Sequence, residues 1–146
     1  MRDLGTLPTW IGDYMAIPFV EGGRTRDGAD CYGLLRLVLA ERFNVVIPED
    51  PVGAWPRDLD RAGKIDLARR VERARDAWRE MRRTEIRPGL CILLRVEGRP
   101  MHVGIVLNER AFLHTDRDAG VNVESYVEGM WSGNRVLGFY EYRGPA

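Results

Sequence analysis

The sequence predicts an α+β fold, with helices in the first part of the chain and an antiparallel sheet in the second. Two observations carry this. Up to Arg83 the apolar residues recur mainly at helical spacing, and after Pro88-Gly89 they fall in short β-rich runs separated by turn residues. Runs of helix followed by runs of strand, without strict alternation, are the pattern of an α+β arrangement.

The first helix is read over Pro8 to Ala16, where Trp10, Ile11, Tyr14 and Met15 lie at helical spacing and Thr6 stands ahead as a cap. Glu21 to Asp30 holds three Gly among polar residues and reads as a loop. From Asp30 the pattern is helical again: Cys31, Leu34, Leu35, Val38 and Leu39 fall at i, i+3, i+4, i+7 and i+8. Asp30 is a suitable N-cap, which sets Cys31 in the first turn on the buried face. The helix is expected to stop near Phe43 and Asn44, because Val45-Val46-Ile47-Pro48 follows and proline disfavours helix at the residue before it.

Pro48 to Gly63, rich in Pro, Gly and Asp, reads as an irregular connection. Leu67, Val71, Ala74, Trp78 and Met81 then form one apolar stripe, which predicts a helix across Asp66 to Arg83. The arginines and acidic residues around the stripe read as a solvated face with ion pairs inside the helix, not as a nucleic-acid surface. Strands are predicted at Leu90 to Val96, His102 to Leu107, Ala111 to Thr115 and Val136 to Tyr142.

Residues 1–146 have the length and composition of one globular domain able to bury a core without disulfides or a structural metal. Lys plus Arg and Asp plus Glu are equal at 22 each, so no net field favours a polyanion or an anionic membrane, and no nucleic-acid partner is expected. No segment approaches the roughly 18 apolar residues of a membrane span, and the N-terminus lacks the apolar stretch of a secretory signal. Synthesis in the cytoplasm, without membrane insertion, is therefore expected. In that compartment a disulfide between Cys31 and Cys91 is disfavoured.

Cys31 has the setting of a nucleophile. The unpaired N–H groups and positive dipole end of a helix start favour a thiolate, and they can also receive the oxyanion formed when it attacks a carbonyl. The sequence offers two imidazoles as a base, His102 and His114, on neighbouring predicted strands. A hairpin with a three- or five-residue loop around Asn108 sets these two directly opposite on one face. Opposed residues have Cβ atoms about 4.5–5.5 Å apart, close enough for one imidazole to orient the other. His102 is then the base and His114 the group that orients it, with Gly104 leaving room for the Cys31 helix to approach.

The residues in these places are Phe19-Val20-Glu21-Gly22-Gly23, Asp30-Cys31-Tyr32-Gly33, Val46-Ile47-Pro48, Arg87-Pro88-Gly89, His102-Val103-Gly104-Ile105-Val106 and His114. Together they resemble the NlpC family of papain-like cell-wall peptidases, in the family's order and over most of the chain. The resemblance implies a papain-like fold with the nucleophile at a helix N-terminus packed on an antiparallel sheet. It also implies hydrolysis of amide bonds in peptidoglycan stem peptides, typically between D-glutamate and the following diamino acid, with Asp30, Tyr32 and Phe19 on the substrate side. No metal or organic cofactor is implied. Tyr32 stands where Ser is common, Phe19 where Tyr is usual, and Leu90 where Asp often follows Pro-Gly. With Phe19 and an aromatic after the cysteine, the chain is similar to the branch found in phage tails and gene transfer agents. That similarity implies tail-like particle proteins as partners and a place in the particle.

Other uses of these residues are less favoured. Cys91 sits in an apolar strand run and reads as a core thiol. Two Cys and two His without short ligand spacing do not preorganise zinc, and the glycines at 22, 23 and 28 lack the strand and the Lys of a phosphate loop. Two alternatives remain open: a structural tail-tip protein that keeps the fold without the activity, and an amidase or acyltransferase acting on another amide.

Overall fold

The computed structural model describes residues 3–47, 60–96 and 99–144. After a 3₁₀ turn at Thr9–Asp13, the chain forms a small hairpin of β1 (Arg24–Thr25) and β2 (Gly28–Ala29), then α1 (Cys31–Arg42) and α2 (Arg61–Ala74). The strands β3 (Trp78–Met81), β4 (Cys91–Val96), β5 (Arg99–Val106), β6 (Ala111–Asp116), β7 (Gly120–Ser125) and β8 (Val136–Tyr142) follow. They form one antiparallel sheet in the order β3-β8-β4-β5-β6-β7. The α+β class read from the sequence is the class observed.

The position of β4 inside the sheet explains its unbroken apolar run, since a strand covered on both faces needs no polar alternate. Cys91 and Leu93 join Val103, Ile105 and Leu113 under Leu34, Leu35, Val38 and Leu39 of α1. Ile92 and Leu94 point the other way, to a second cluster with Val106, Phe112, Tyr126, Trp131 and Phe139. Fully burying one such Leu contributes about 1.5–3 kcal/mol, so the α1 face alone anchors the helix firmly.

α1 is also held at its ends. At its start Arg24 Nη1 donates to Asp30 Oδ1 at 2.5 Å, and near its end Arg26 Nη2 donates to Glu41 Oε1 at 2.5 Å. Glu41 also accepts from the Tyr14 hydroxyl at 2.7 Å, and Arg42 donates to that hydroxyl at 3.0 Å and pairs with Asp13.

Several local expectations are corrected. Pro8 to Ala16 forms only a five-residue 3₁₀ turn, capped by the Pro8 backbone with no side-chain bond from Thr6; so short a stretch does not repay α-helix nucleation. The Glu21 to Asp30 loop contains the β1–β2 hairpin, because Thr25 pairs with Gly28 around Arg26-Asp27. α1 ends at Phe43 as expected, but the residue that turns the chain is Asn44, in the left-handed region at φ 58°.

The third predicted helix is displaced at both ends. It begins at Arg61, where the Asp60 carboxylate accepts from Gly63 N at 2.7 Å, and it stops at Ala74. Trp78 and Met81, taken as the end of the apolar stripe, instead lie in edge strand β3, paired with Tyr142 and Phe139 of β8. The Trp78 and Tyr142 rings meet edge-on at 5.1 Å, and this tertiary pairing outweighs the local helical pattern. Residues 48–59 of the expected irregular connection, and the side chains of Leu67, Val71 and Ala74, lie outside the described residues.

Candidate active site

The setting of Cys31 is built by Asp30, Gly33 and Arg24. Asp30 Oδ1 accepts from Gly33 N at 2.8 Å, the N-cap bond of α1, and Oδ2 accepts from Gly22 N at 3.1 Å. A Cβ on Gly33 would stand 2.0 Å from the Gly23 carbonyl oxygen, so glycine there lets the 22–24 segment lie directly on the helix start. Asp30 is 1% exposed and its carboxylate is turned into these contacts. It builds the helix start; a place on the substrate side is not what its surroundings show.

Cys31 is buried, and the backbone N–H groups of Val103 and Tyr32 favour its ionised form. Burial, with the nearby Asp30 charge, nevertheless pushes the thiol up to about 12, ahead of the lowering by those N–H groups and Arg24. The expected lowering by the helix start is thus outweighed by burial. Cys31 rests as a thiol.

His102 and His114 lie where the β5–β6 ladder stops. The ladder consists of Ile105 with Leu113 and Val106 with Phe112, which centres the hairpin on Glu109 instead of Asn108. Asn108 causes the shift. Its Oδ1 accepts from Arg110 N at 2.7 Å and Ala111 N at 2.8 Å, closing a four-residue loop. His102 and His114 are consequently diagonal, not directly opposed, but they stay on the same face, and diagonal neighbours remain within reach for aromatic side chains. His102 Nε2 and His114 Nδ1 are 2.7 Å apart. Gly104, expected to admit α1, instead admits Phe112, whose Cδ2 would lie 2.6 Å from an added Cβ.

A further member of the chain of hydrogen bonds was not legible in the sequence. Asn122, opposite His114 in the β6–β7 ladder, has its Oδ1 3.1 Å from His114 Nε2 and donates through Nδ2 to Gly120 O at 2.8 Å. The Nδ2 bond fixes which way the amide faces. Oδ1 can only accept, so His114 carries its proton on Nε2 and its Nδ1 accepts from His102 Nε2–H. His102 Nδ1 is left with its lone pair, the form required of a general base. The only sequence signal for Asn122 was its place between Val121 and Val123 in a short alternating run.

Trp131 covers this pair. Its ring stacks on His102 at 5.1 Å and 20° and meets His114 edge-on at 5.6 Å. The Arg135 guanidinium lies 4.7 Å from the same ring. Burial, then the charges of His114 and Arg135, hold His102 well below the usual histidine range, and burial holds His114 at about 4. Both imidazoles are neutral at neutral pH.

Of the remaining expected residues, Tyr32 is buried in the α1 core beneath the Arg24 guanidinium, 5.6 Å from its ring. Phe19 is half-buried, bridges Ala29 and lies under Arg117 at 5.5 Å. Among the described residues no group of three or more His, Cys, Asp or Glu side chains converges as metal ligands would, and no helix is long and apolar enough to cross a membrane.

The sequence model of the NlpC/P60 family matches residues 16–139. The murein DD-endopeptidase MepS/murein LD-carboxypeptidase of Escherichia coli K12 is 24% identical over 119 residues, 82% of this chain and 53% of that protein. A probable endopeptidase of Haemophilus influenzae is 28% identical over 122 residues, 82% of this chain and 63% of that protein. The chain thus spans between about half and two thirds of the length of these relatives. An NlpC/P60 family protein from Bacillus cereus superposes with a TM-score of 0.61 at 13% identity, covering 94% of this chain and 41% of the other. The P60 domain of an antigen of M. avium subspecies paratuberculosis gives 0.56 at 20% identity, covering 93% and 90%. These likenesses establish the papain-like α+β fold, and with the family match extending over most of its length the chain belongs to the NlpC/P60 family.

Proposed function

We propose that the chain is a cysteine peptidase that hydrolyses amide bonds in peptidoglycan stem peptides. The observation that carries this reading is the run of hydrogen bonds from Asn122 through His114 to His102, which leaves an unprotonated nitrogen on a buried imidazole next in sequence to Val103, whose backbone N–H favours the Cys31 thiolate. The kinship with a murein endopeptidase supplies the substrate class.

In this reading His102 Nδ1 takes the thiol proton as Cys31 Sγ bonds to the amide carbon, and the backbone N–H groups at the start of α1 receive the oxyanion. Collapse breaks the C–N bond, and the proton passes from His102 to the departing amine. Water then attacks the thioester, giving up a proton to His102, and the free carboxylic acid and Cys31 thiol are restored. In that last step His102 returns the proton taken from water to the departing Cys31 thiolate, so the imidazolium exists only between each uptake of a proton and its release, once in acylation and once in deacylation.

The bond proposed is the one between D-glutamate and the following diamino acid, and the setting proposed is a tail-like particle that carries the protein from the cytoplasm to the wall. The second rests on the resemblance at Phe19 to Gly23 and Tyr32. Purified protein incubated with defined muropeptides, with Cys31→Ala in parallel, tests the chemistry. A new amine at the diamino acid supports the bond, a new amine at D-alanine points to a DD-endopeptidase, and no Cys31-dependent product refutes the peptidase reading. Particles carrying Cys31→Ala are expected to assemble normally yet deliver nucleic acid less often through an intact wall; normal delivery overturns the particle role.

A further inference from the structure

Two segments of the chain are joined by Arg117, one leading to Cys31 and one carrying His114. The first is 19–31: Phe19 bridges Ala29, and Val20 N donates to Ala29 O at 3.2 Å, two residues before Cys31. The second is the β6–β7 hairpin, with His114 on one strand, Asn122 on the other and Arg117 in the turn between them. Arg117 Nη2 donates to Glu21 Oε1 at 2.9 Å, and its guanidinium carbon lies 5.5 Å from the centre of the Phe19 ring.

This ion pair is poorly suited to a purely structural role. The side chains are 43% and 39% exposed, and pairs so exposed contribute little to stability because water and salt screen them. A guanidinium over an aromatic ring is nonetheless attracted to its face, and its planar fork matches a carboxylate in two-point geometry that the single Nη2 bond to Glu21 does not use. A carboxylate arriving on a bound peptide can therefore replace Glu21 at small cost.

We propose that Arg117 and Glu21 form an exchangeable clasp across the active site: Arg117 binds a carboxylate of the peptide beside the scissile amide, and Glu21 holds its place in the substrate-free protein. This rests on the peptidase reading above and extends it to specificity. Stem peptides carry such carboxylates on both sides of the proposed bond, on D-glutamate and on the diamino acid, and either becomes a neutral carboxamide when amidated. The clasp thus makes the protein selective for non-amidated wall.

The test separates this inference from the reading it rests on by measuring binding without catalysis. Cys31→Ala protein, with and without Arg117→Gln, is titrated calorimetrically with three synthetic tripeptides of L-alanine, γ-D-glutamate and diaminopimelate. One has all carboxylates free, one is amidated at D-glutamate and one at the diaminopimelate side-chain carboxylate. Loss of a charge-assisted bond is expected to weaken binding about tenfold or more for one amidated peptide, and that peptide identifies the carboxylate read. Arg117→Gln abolishes the difference, while Glu21→Gln, which removes the competing carboxylate, tightens binding of the free acid. Equal affinity for all three peptides, absence of binding, or a preference that survives Arg117→Gln overturns the inference. Failure of the unsubstituted protein to hydrolyse any of them overturns the proposed bond between D-glutamate and the diamino acid instead.

Discussion

Replacing Asn122 by Ala removes a group that does not touch the thiol, yet it is expected to reduce turnover by about five- to 150-fold. The substitution deletes the acceptor at 3.1 Å from His114 Nε2 and leaves a buried N–H without a partner. An unsatisfied buried donor costs about 1–3 kcal/mol, and His114 escapes that cost by moving its proton to Nδ1. It then donates to His102 Nε2, the proton on His102 shifts to Nδ1, and the nitrogen that should accept from Cys31 is occupied. The same 1–3 kcal/mol, applied to the balance between the two tautomers, gives the stated loss in kcat with KM little changed. Steady-state hydrolysis of a stem peptide measures the loss, and long-range nitrogen-proton NMR on the two imidazoles reads the tautomers directly. Asn122→Asp retains an acceptor and is expected to keep the wild-type tautomers. If Asn122→Ala turns over within twofold of wild type, or loses activity with unchanged tautomers, the relay is wrong.

Other outcomes follow from the same geometry. His102→Asn should abolish turnover, while His114→Asn, which can still accept from His102, should retain a measurable fraction; equal loss undoes the division of roles. Both histidines are held below their ordinary range, so the folded state binds fewer protons than the unfolded state below about pH 6.5, and stability present above that pH falls as the solution is acidified. With His114 at about 4, this residue alone should account for a loss on the order of 3 kcal/mol by pH 4, read as a drop in urea midpoint that His114→Gln reduces. Limiting iodoacetamide should label Cys31 before Cys91, since in the proposed mechanism His102 takes the Cys31 proton while the Cys91 thiol donates to Ile92 O at 3.7 Å; earlier labelling of Cys91 contradicts the assignment.

The legible parts of this site were those fixed by local chemistry. Asp30 followed by Cys31, Leu34, Leu35 and Val38 specifies a capped helix whatever it packs on, and two histidines in one short sequence leave few choices of base. What stayed hidden depended on distant or side-chain-made geometry. The His102–His114 register turns on Asn108 bonding two backbone N–H groups in its own loop, and Asn122 matters only because β7 lies beside β6. Trp78 and Met81 follow a helical period but find their partners in β8, which no window around them contains. Trp131 lies outside any strand, in a segment with no period to read.

The β1–β2 hairpin has a mechanical meaning beyond its size. Arg24 grips the first residue before α1 and Arg26 grips Glu41 near its last turn, two arginines one residue apart in sequence spanning a helix about 18 Å long. The hairpin is a splint. Sliding α1 along its own axis would break both grips at once, whereas a core of interchangeable leucines would resist such sliding only by packing. The axial position of the sulfur is therefore indexed to the hairpin, and the two grips differ in character: Asp30 is 1% exposed and Glu41 36%. Rising salt would loosen the far grip first and leave the one beside the thiol closed, so the reactive end is the last part of the helix to drift.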